Sequence, residues 1–332
     1  MLNTALDPGT TRATLKTTSQ MEVVRFHGPY DIRFETIDEP ICGKGQVKIR
    51  PAFVGLCGSN IHEYTSGPVL VPQEPHSITR CSCPVTLGHE FSGIVDEVGE
   101  GITHVSPGQR VVVRPTIFDR QCTACKRNYE YCCENIGFIR LSGYGGGLAK
   151  YHVAPAEHFY PIPDNVSLEA AALIEPMAIA WHAVNQSPFK MDDNVMVVGG
   201  EPVGVGIVQV LKLQDAKNIM VSEPYEKRRG FAIEYGATHA FDPEQENVTQ
   251  SVMEVTDSAG ADVIFDAAGV EEALSGAIGA CGTHGTIINV AVWEKKPAIP
   301  VNDLMYSEVN YIGSALYDEG SFTAVIKALR DG

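Results

Sequence analysis

The rhythm of hydrophobic and polar positions changes near residue 165. Between residues 21 and 160, short β-branched runs are broken by Gly and Pro. Val47-Lys-Ile-Arg-Pro, Phe91-Ser-Gly-Ile-Val-Asp-Glu-Val and Arg110-Val-Val-Val-Arg are of strand length. Their spacing predicts a compact, irregular β domain. The proline-rich stretch 65–84 reads as a surface loop, and its Cys81 and Cys83 carry no assigned role. After Ile162-Pro-Asp-Asn-Val, Ser167-Leu-Glu-Ala-Ala-Ala-Leu predicts a helix with Ser167 as cap and Glu169 in the first turn. Glu175-Pro176 reads as the start of a second helix, with the carboxylate as its cap.

From Asn194 onward, strand and helix patterns alternate. Val195-Met-Val-Val, Ile219-Met-Val-Ser-Glu, His239-Ala-Phe-Asp, Asp262-Val-Ile-Phe-Asp-Ala, Gly285-Thr-Ile-Ile-Asn-Val-Ala and Val309-Asn-Tyr-Ile-Gly read as strands. Residues 203–213 and 225–235 read as crossover helices, the latter stopped by Gly236. The series predicts an α/β, doubly wound parallel sheet. Its first turn, Gly199-Gly200-Glu201-Pro202-Val203-Gly204, nearly spells the dinucleotide fingerprint. Gly199 suits the tight turn, and Gly204 suits close helix–strand packing. Glu223, at the end of the second strand, is placed to accept from a ribose 2′-hydroxyl and to repel a 2′-phosphate. Arg228, five residues on, is a further candidate cofactor contact.

The 332 residues suffice for two domains with their own cores, and the 44% hydrophobic and 20% charged content is that of a globular protein. A net charge of −16 repels phosphate backbones, so nucleic acid is not an expected partner. No apolar run reaches the roughly 18 residues that would cross a bilayer. Residues 1–20 lack an apolar core, which excludes a secretory signal; a disordered tail is expected, with an organellar presequence as the alternative. Nine cysteines without a signal point to reduced thiols and a cytoplasmic location.

Two separated stretches carry the chemistry, Val54-Gly-Leu-Cys-Gly-Ser-Asn-Ile-His and Leu87-Gly-His-Glu-Phe. Cys57 offers a soft thiolate, His89 an imidazole and Glu90 a hard carboxylate, and zinc accepts all three donor types. Ser59 and His62 follow Cys57 at two and five residues and form a candidate proton path to solvent. Each residue alone is equally well an ordinary buried side chain; together they favour a metal centre. Cys122, Cys125, Cys132 and Cys133 crowd a second candidate metal segment.

With these motifs in place, the chain resembles the zinc-dependent medium-chain alcohol and polyol dehydrogenases, in particular their 2,3-butanediol dehydrogenase branch. The resemblance runs from about residue 21 to the end. It is carried by Gly55-Leu-Cys-Gly-Ser-Asn-Ile-His-Glu-Tyr, Leu87-Gly-His-Glu-Phe-Ser-Gly, Pro161-Ile-Pro-Asp-Asn-Val-Ser-Leu-Glu-Ala-Ala-Ala-Leu-Ile-Glu-Pro and Ala180-Trp-His-Ala. It implies a GroES-like catalytic zinc domain over residues 21–176 and a Rossmann domain over 177–320. Residues 321–332 would begin a helix returning to the first domain. It implies a catalytic Zn2+ held by Cys57, His89 and Glu175, with Glu90 an alternate ligand. Ser59 would take the alcohol proton and His62 deliver it to water. A glutamate at 175, where many alcohol dehydrogenases carry cysteine, is the polyol and butanediol pattern.

The implied reaction is oxidation of a secondary alcohol through a zinc alkoxide and hydride transfer to NAD. 2,3-Butanediol to acetoin leads, and sorbitol or xylitol is the alternative. A catalytically impaired paralogue keeping the fold is the competitor. The resemblance also implies a homo-oligomer joined near residues 309–314.

Four departures from the family pattern stand out. The lobe that holds a structural zinc on four cysteines reads here Asp119, Cys122, Cys125, Cys133, with Cys132 as a substitute. Glu201 stands where a glycine would let backbone approach pyrophosphate. A like charge about 4 Å away costs about 4 kcal/mol at an effective dielectric of 20, so Glu201 is expected to weaken NAD binding. Asn60 replaces an aspartate that orients the zinc histidine, and a weaker zinc site is expected. The chain stops at Gly332, where the family continues, so unpaired strand edges are expected in the catalytic domain.

Overall fold

The computed structural model describes residues 19–293 and 295–332. The expected disordered tail falls outside the described residues as far as residue 18. Ser19 Oγ already donates to Glu39 Oε2 at 2.7 Å, and the first strand, Gln20–Gly28, starts at the next residue.

The β-branched runs pair antiparallel. One sheet has the order Phe159–Pro161, Arg110–Val113, Glu90–Val98, Gln46–Gly55, His152–Pro155; another joins Asp31–Asp38, Gln20–Gly28 and Val85–Thr86. Alternation along Arg110–Val113 decides what each face covers. Val111 and Val113 enter a core with Val47, Ile49, Phe91 and Val95, while Val112 points the other way, onto Tyr317, Phe322 and Val325. The last helix, Glu319–Asp331, thereby packs on the first domain. Tyr160 donates to Glu319 Oε1 at 2.8 Å, and Asn165 Nδ2 donates to the Arg330 carbonyl at 2.8 Å.

Stretch 65–84 departs from the expected surface loop. The buried Glu63 carboxylate accepts from the backbone N–H groups of Val69 at 3.1 Å and Val71 at 3.2 Å, and from that of Leu70. This anchors Val71 in a core with Phe26, Val85, Leu87 and Leu141. Proline density conceals the inward-facing Val71, Ile78 and Cys83, and the Glu63 anchor lies outside the stretch.

Ser167 caps its helix as read, its Oγ accepting from Ala170 N at 3.0 Å. Glu175 does not cap the next one. Helix Ile174–Gln186 begins a residue earlier, with Leu173 as its N-cap, and the Glu175 side chain turns inward with 1% of its surface exposed. The two helices abut without a loop, so no extended residue is left for the carboxylate to cap.

The six strands of the second half form one parallel sheet in the order His239–Phe241, Asn218–Ser222, Asn194–Val198, Ala261–Asp266, Cys281–Asn289, Asn310–Gly313. Near-continuous apolar runs are required because helices cover both faces. Val195, Val197, Ile219, Val221, Val263 and Phe265 fill one side; Met196, Val198, Met220, Ile264 and Ile287 fill the other. Strand order reverses between Asn194–Val198 and Ala261–Asp266, and a crevice opens there at the carboxyl ends.

Candidate metal centre and nucleotide cleft

Strand Gln46–Gly55 runs antiparallel to Glu90–Val98, with Gly55 opposite Glu90. That register brings the two chemical stretches together. A Cβ on Gly55 would stand 2.2 Å from Glu90 Oε2, so the glycine makes the room the carboxylate occupies. Beyond Gly55 the chain turns at Cys57 into helix Gly58–Ser66. One ligand atom each from Cys57, His89 and Glu90 lies within 4.8 Å of the other two. Thiolate, imidazole and carboxylate donors at that spread fit a tetrahedral zinc with bonds of about 2.0–2.3 Å and one position left open.

The surroundings are dry. Burial pushes the Cys57 thiol up to about 11, with the Glu90 charge adding to it. Burial likewise raises Glu90 and holds His89 well below the usual imidazole range, where Arg140 lowers it further. His89 is therefore neutral and able to ligate, whereas Cys57 gives up its proton when a metal takes the sulfur.

The convergent donors include Glu90, the alternate ligand of the family resemblance. Glu175 stands outside the convergent group, and Glu90 completes it. Glu175 is buried, and its carboxyl interacts with the Tyr317 hydroxyl, although the two fall short of a well-formed hydrogen bond. Burial first, and then the Glu90 charge, push its carboxyl up to about 8. Glu90 opens strand Glu90–Val98 immediately after His89 and so reaches the donor cluster with it; Glu175 starts from a separate helix.

Ser59 and His62 sit three residues apart on helix Gly58–Ser66, hence on one face. Ser59 is half-buried and His62 exposed, so the pair leads from the metal centre outward. Asn60 does not orient His89: both polar atoms of its amide and His89 Nδ1 lack partners. Arg140 is a residue sequence reasoning missed. It is fully buried, and its Nη2 donates to Ser59 Oγ at 3.2 Å. A charged residue inside Phe138-Ile-Arg-Leu was the available signal.

The cysteine segment forms a second donor cluster. Ligand atoms of Asp119, Cys122, Cys125 and Cys133 all lie within 4.8 Å of one another, whereas the exposed Cys132 is outside the group. Backbone N–H groups point at sulfur: Cys125 N donates to Cys122 Sγ at 3.5 Å and Asp119 N to Cys133 Sγ at 3.4 Å. Asp119 accepts from Asn135 Nδ2 at 2.7 Å and from the N–H groups of Gln121 and Cys122, which hold its carboxyl well below the usual range. A charged carboxylate with three sulfurs fits zinc. All nine cysteines are free thiols.

At the sheet crevice, Gly199 has φ +99, and a Cβ on Gly204 would lie 2.0 Å from the Gly199 carbonyl oxygen. Helix Pro202–Leu213 begins here with Glu201 as N-cap. The Glu201 side chain makes no capping hydrogen bond and instead pairs with Arg228 Nη2 at 3.0 Å, so the helix N-terminus is left clear of it. Arg228 on the next helix thus supplies a cation beside the Glu201 carboxylate. Glu223 is 2% exposed and accepts from Gly200 N at 2.7 Å and Tyr225 N at 2.9 Å. Asp266, at the end of the next strand over, was also missed; its Oδ1 accepts from Ala268 N and Gly269 N at 3.1 Å.

Known proteins share this fold. The alcohol dehydrogenase GroES-like domain matches residues 43–164, and the zinc-binding dehydrogenase domain matches residues 202–331. A (R,R)-butanediol dehydrogenase of Bacillus subtilis (strain 168) is 37% identical over 94% of this chain and 89% of its own length. The crystal structure of the Bacillus subtilis 2R,3R-butanediol dehydrogenase superposes with a TM-score of 0.88 at 37% identity, covering 94% of this chain and 88% of that one. Two further structures carry nucleotides. A zinc-binding dehydrogenase from Sinorhizobium meliloti 1021 is bound to NADP, with TM-score 0.85 and 27% identity over 94% and 90% of the two chains. An alcohol dehydrogenase from Escherichia coli CFT073 is complexed with NADH, with TM-score 0.84 and 27% identity over 95% and 88%.

Proposed function

Because the chain belongs to the zinc-dependent medium-chain dehydrogenases, oxidoreductases that act on CH–OH groups with a nicotinamide nucleotide, we propose that it interconverts a vicinal diol and its hydroxyketone, with 2,3-butanediol and acetoin as the pair. The convergence of Cys57, His89 and Glu90 beneath Gly55 carries this reading. Zinc, when bound, supplies a Lewis acid that polarises the C–O group and lowers the hydroxyl pKa. Ser59 Oγ takes the hydroxyl proton and passes it along the helix face to the exposed His62 imidazole. Glu175 stays outside the ligand set as a carboxyl whose charge state follows the metal. Burial of these groups keeps water from the reacting carbon.

The nucleotide is NAD in this reading. Glu223, nearly fully buried at the end of Asn218–Ser222, holds a negative charge where a 2′-phosphate would sit. The Asn310–Gly313 strand, exposed along its length at the sheet edge, offers backbone groups to a second copy and supports a homo-oligomer. No helix among the described residues is long and apolar enough to cross a membrane. Nine free thiols favour a reducing, cytoplasmic setting.

The deciding experiment supplies zinc and follows NADH formation from 2,3-butanediol, sorbitol and 2-butanol, with NADP as the competing acceptor. Turnover strongest with butanediol and NAD is expected. Turnover confined to sorbitol would replace the substrate, and a zinc-loaded protein inert to all three would mark an impaired paralogue. A separate calorimetric titration addresses Glu201. Since the carboxylate is already paired with Arg228 and an exposed pair is worth about 0–1 kcal/mol, Glu201→Gly is expected to leave NAD affinity within about fivefold of wild type. A hundredfold gain would restore the view that Glu201 obstructs the pyrophosphate.

A further inference from the structure

Arg140 takes no part in the reaction as set out above, yet it is the largest fully buried side chain among the described residues. Three features make it costly. Its φ of +93° lies where a side chain with a Cβ is strained. Its charge is sealed from water, and burial draws its pKa down to about 10, which still leaves it protonated near neutrality. Its Nε and Nη1 are buried and lack hydrogen-bond partners, although Nη2 donates to Ser59 Oγ. Buried donors left unmade are rare and destabilising, so their presence calls for an acceptor that arrives from outside.

The position indicates which acceptor. Arg140 acts electrostatically on Cys57, Glu90 and Glu175, and touches the serine assigned to the reacting hydroxyl. Its remaining N–H groups thus lie one group removed from the oxygen that Ser59 serves.

We propose that Arg140 is a substrate-recognition residue whose free N–H donors take the oxygen on the carbon next to the reacting one. On this basis the site distinguishes vicinal diols and α-hydroxyketones from simple alcohols and ketones. The inference rests on the dehydrogenase reading for its substrate class but makes its own demand, a preference for a second oxygen. A guanidinium suits that role because its planar fork offers several donors in a fixed geometry, and a hydrogen bond to a charged donor discriminates by about ten- to a hundredfold. The unmet N–H donors are then satisfied when substrate enters.

Calorimetric titration of the zinc-loaded protein with acetoin and with 2-butanone provides the test. Wild type is expected to bind acetoin at least tenfold more tightly. In Arg140→Gly, which also relieves the positive φ, the ratio should fall below about threefold while 2-butanone affinity and zinc content are unchanged. Arg140→Lys keeps the charge, loses the fork, and should give an intermediate ratio. A wild-type ratio near one, or a ratio unaltered in either folded variant, overturns the proposal. If the glycine variant fails to fold, the wild-type and lysine ratios decide. Failure of the dehydrogenase reading would instead show as no NADH from any alcohol, a result independent of these binding ratios.

Discussion

His89→Ala is expected to lower kcat/KM for the diol by about a thousandfold or more and to remove one equivalent of zinc per chain. The size follows from what is lost: a Lewis acid stabilises developing charge by several kcal/mol, and each 1.4 kcal/mol is a factor of ten in rate. The neutral state of His89 makes it a ready ligand, and it supplies the one imidazole of its donor group. Cys57→Ser should act similarly, because serine offers zinc a poor donor where the thiolate was. Metal analysis together with steady-state kinetics provides the check. Full zinc content in His89→Ala, or activity within tenfold of wild type, would remove this cluster from the catalytic role. Glu175→Gln, by contrast, should keep the metal, since Glu175 lies outside the convergent set. Loss of zinc on that change would reinstate Glu175 as a ligand.

Cys125→Ser should produce the second large effect, on stability. Cys125 is a buried sulfur of a cluster that includes Asp119, Cys122 and Cys133, and burial pushes its thiol up to about 12 in the absence of a metal charge. A bound ion present at a thousand times its dissociation constant stabilises the folded chain by about 4 kcal/mol. At about 2–4 °C per kcal/mol, the melting temperature of the variant is expected to fall by roughly 8–16 °C. The Tyr131 ring, on the same segment, packs 4.6 Å from that of His182, so loosening the lobe is felt by helix Ile174–Gln186. Chelator treatment of wild type should reproduce the shift, whereas Cys132→Ser should not, because that thiol is exposed and outside the group. Equal melting temperatures for wild type and Cys125→Ser would mean that the lobe holds without metal.

Features that depend on neighbours along the chain were legible in advance. The Ser167 cap, the stop at Gly236 with φ +129 and the tight turn at Gly199 each follow from a residue type and the backbone geometry it favours. The parallel sheet was legible because strands buried on both faces must be apolar throughout. The donor triplet Cys57, His89 and Glu90 also emerged from donor chemistry alone. Analogy pointed to Glu175 with Glu90 as the alternate, and Glu90 is the carboxylate that lies in the convergent group. The partner of Glu201, Arg228, belongs to a different helix, so their pairing was not legible along the chain. Nor was it legible that the Asn60 amide and His89 Nδ1 would make no hydrogen bond to each other.

Arg140 marks the boundary most clearly. Nothing in Phe138-Ile-Arg-Leu says that the guanidinium will be sealed from water beside Ser59, a residue 81 positions away in the chain. Periodicity and turn chemistry are short-range, so the sequence by itself determined which elements form, where they stop and which donor types are present. Which carboxylate meets the thiolate, which cation neutralises Glu201 and which arginine faces the serine are questions of distance between segments remote in sequence. Those distances were decided only by the tertiary structure, through the register of Gln46–Gly55 against Glu90–Val98 and the burial of helices against the sheets.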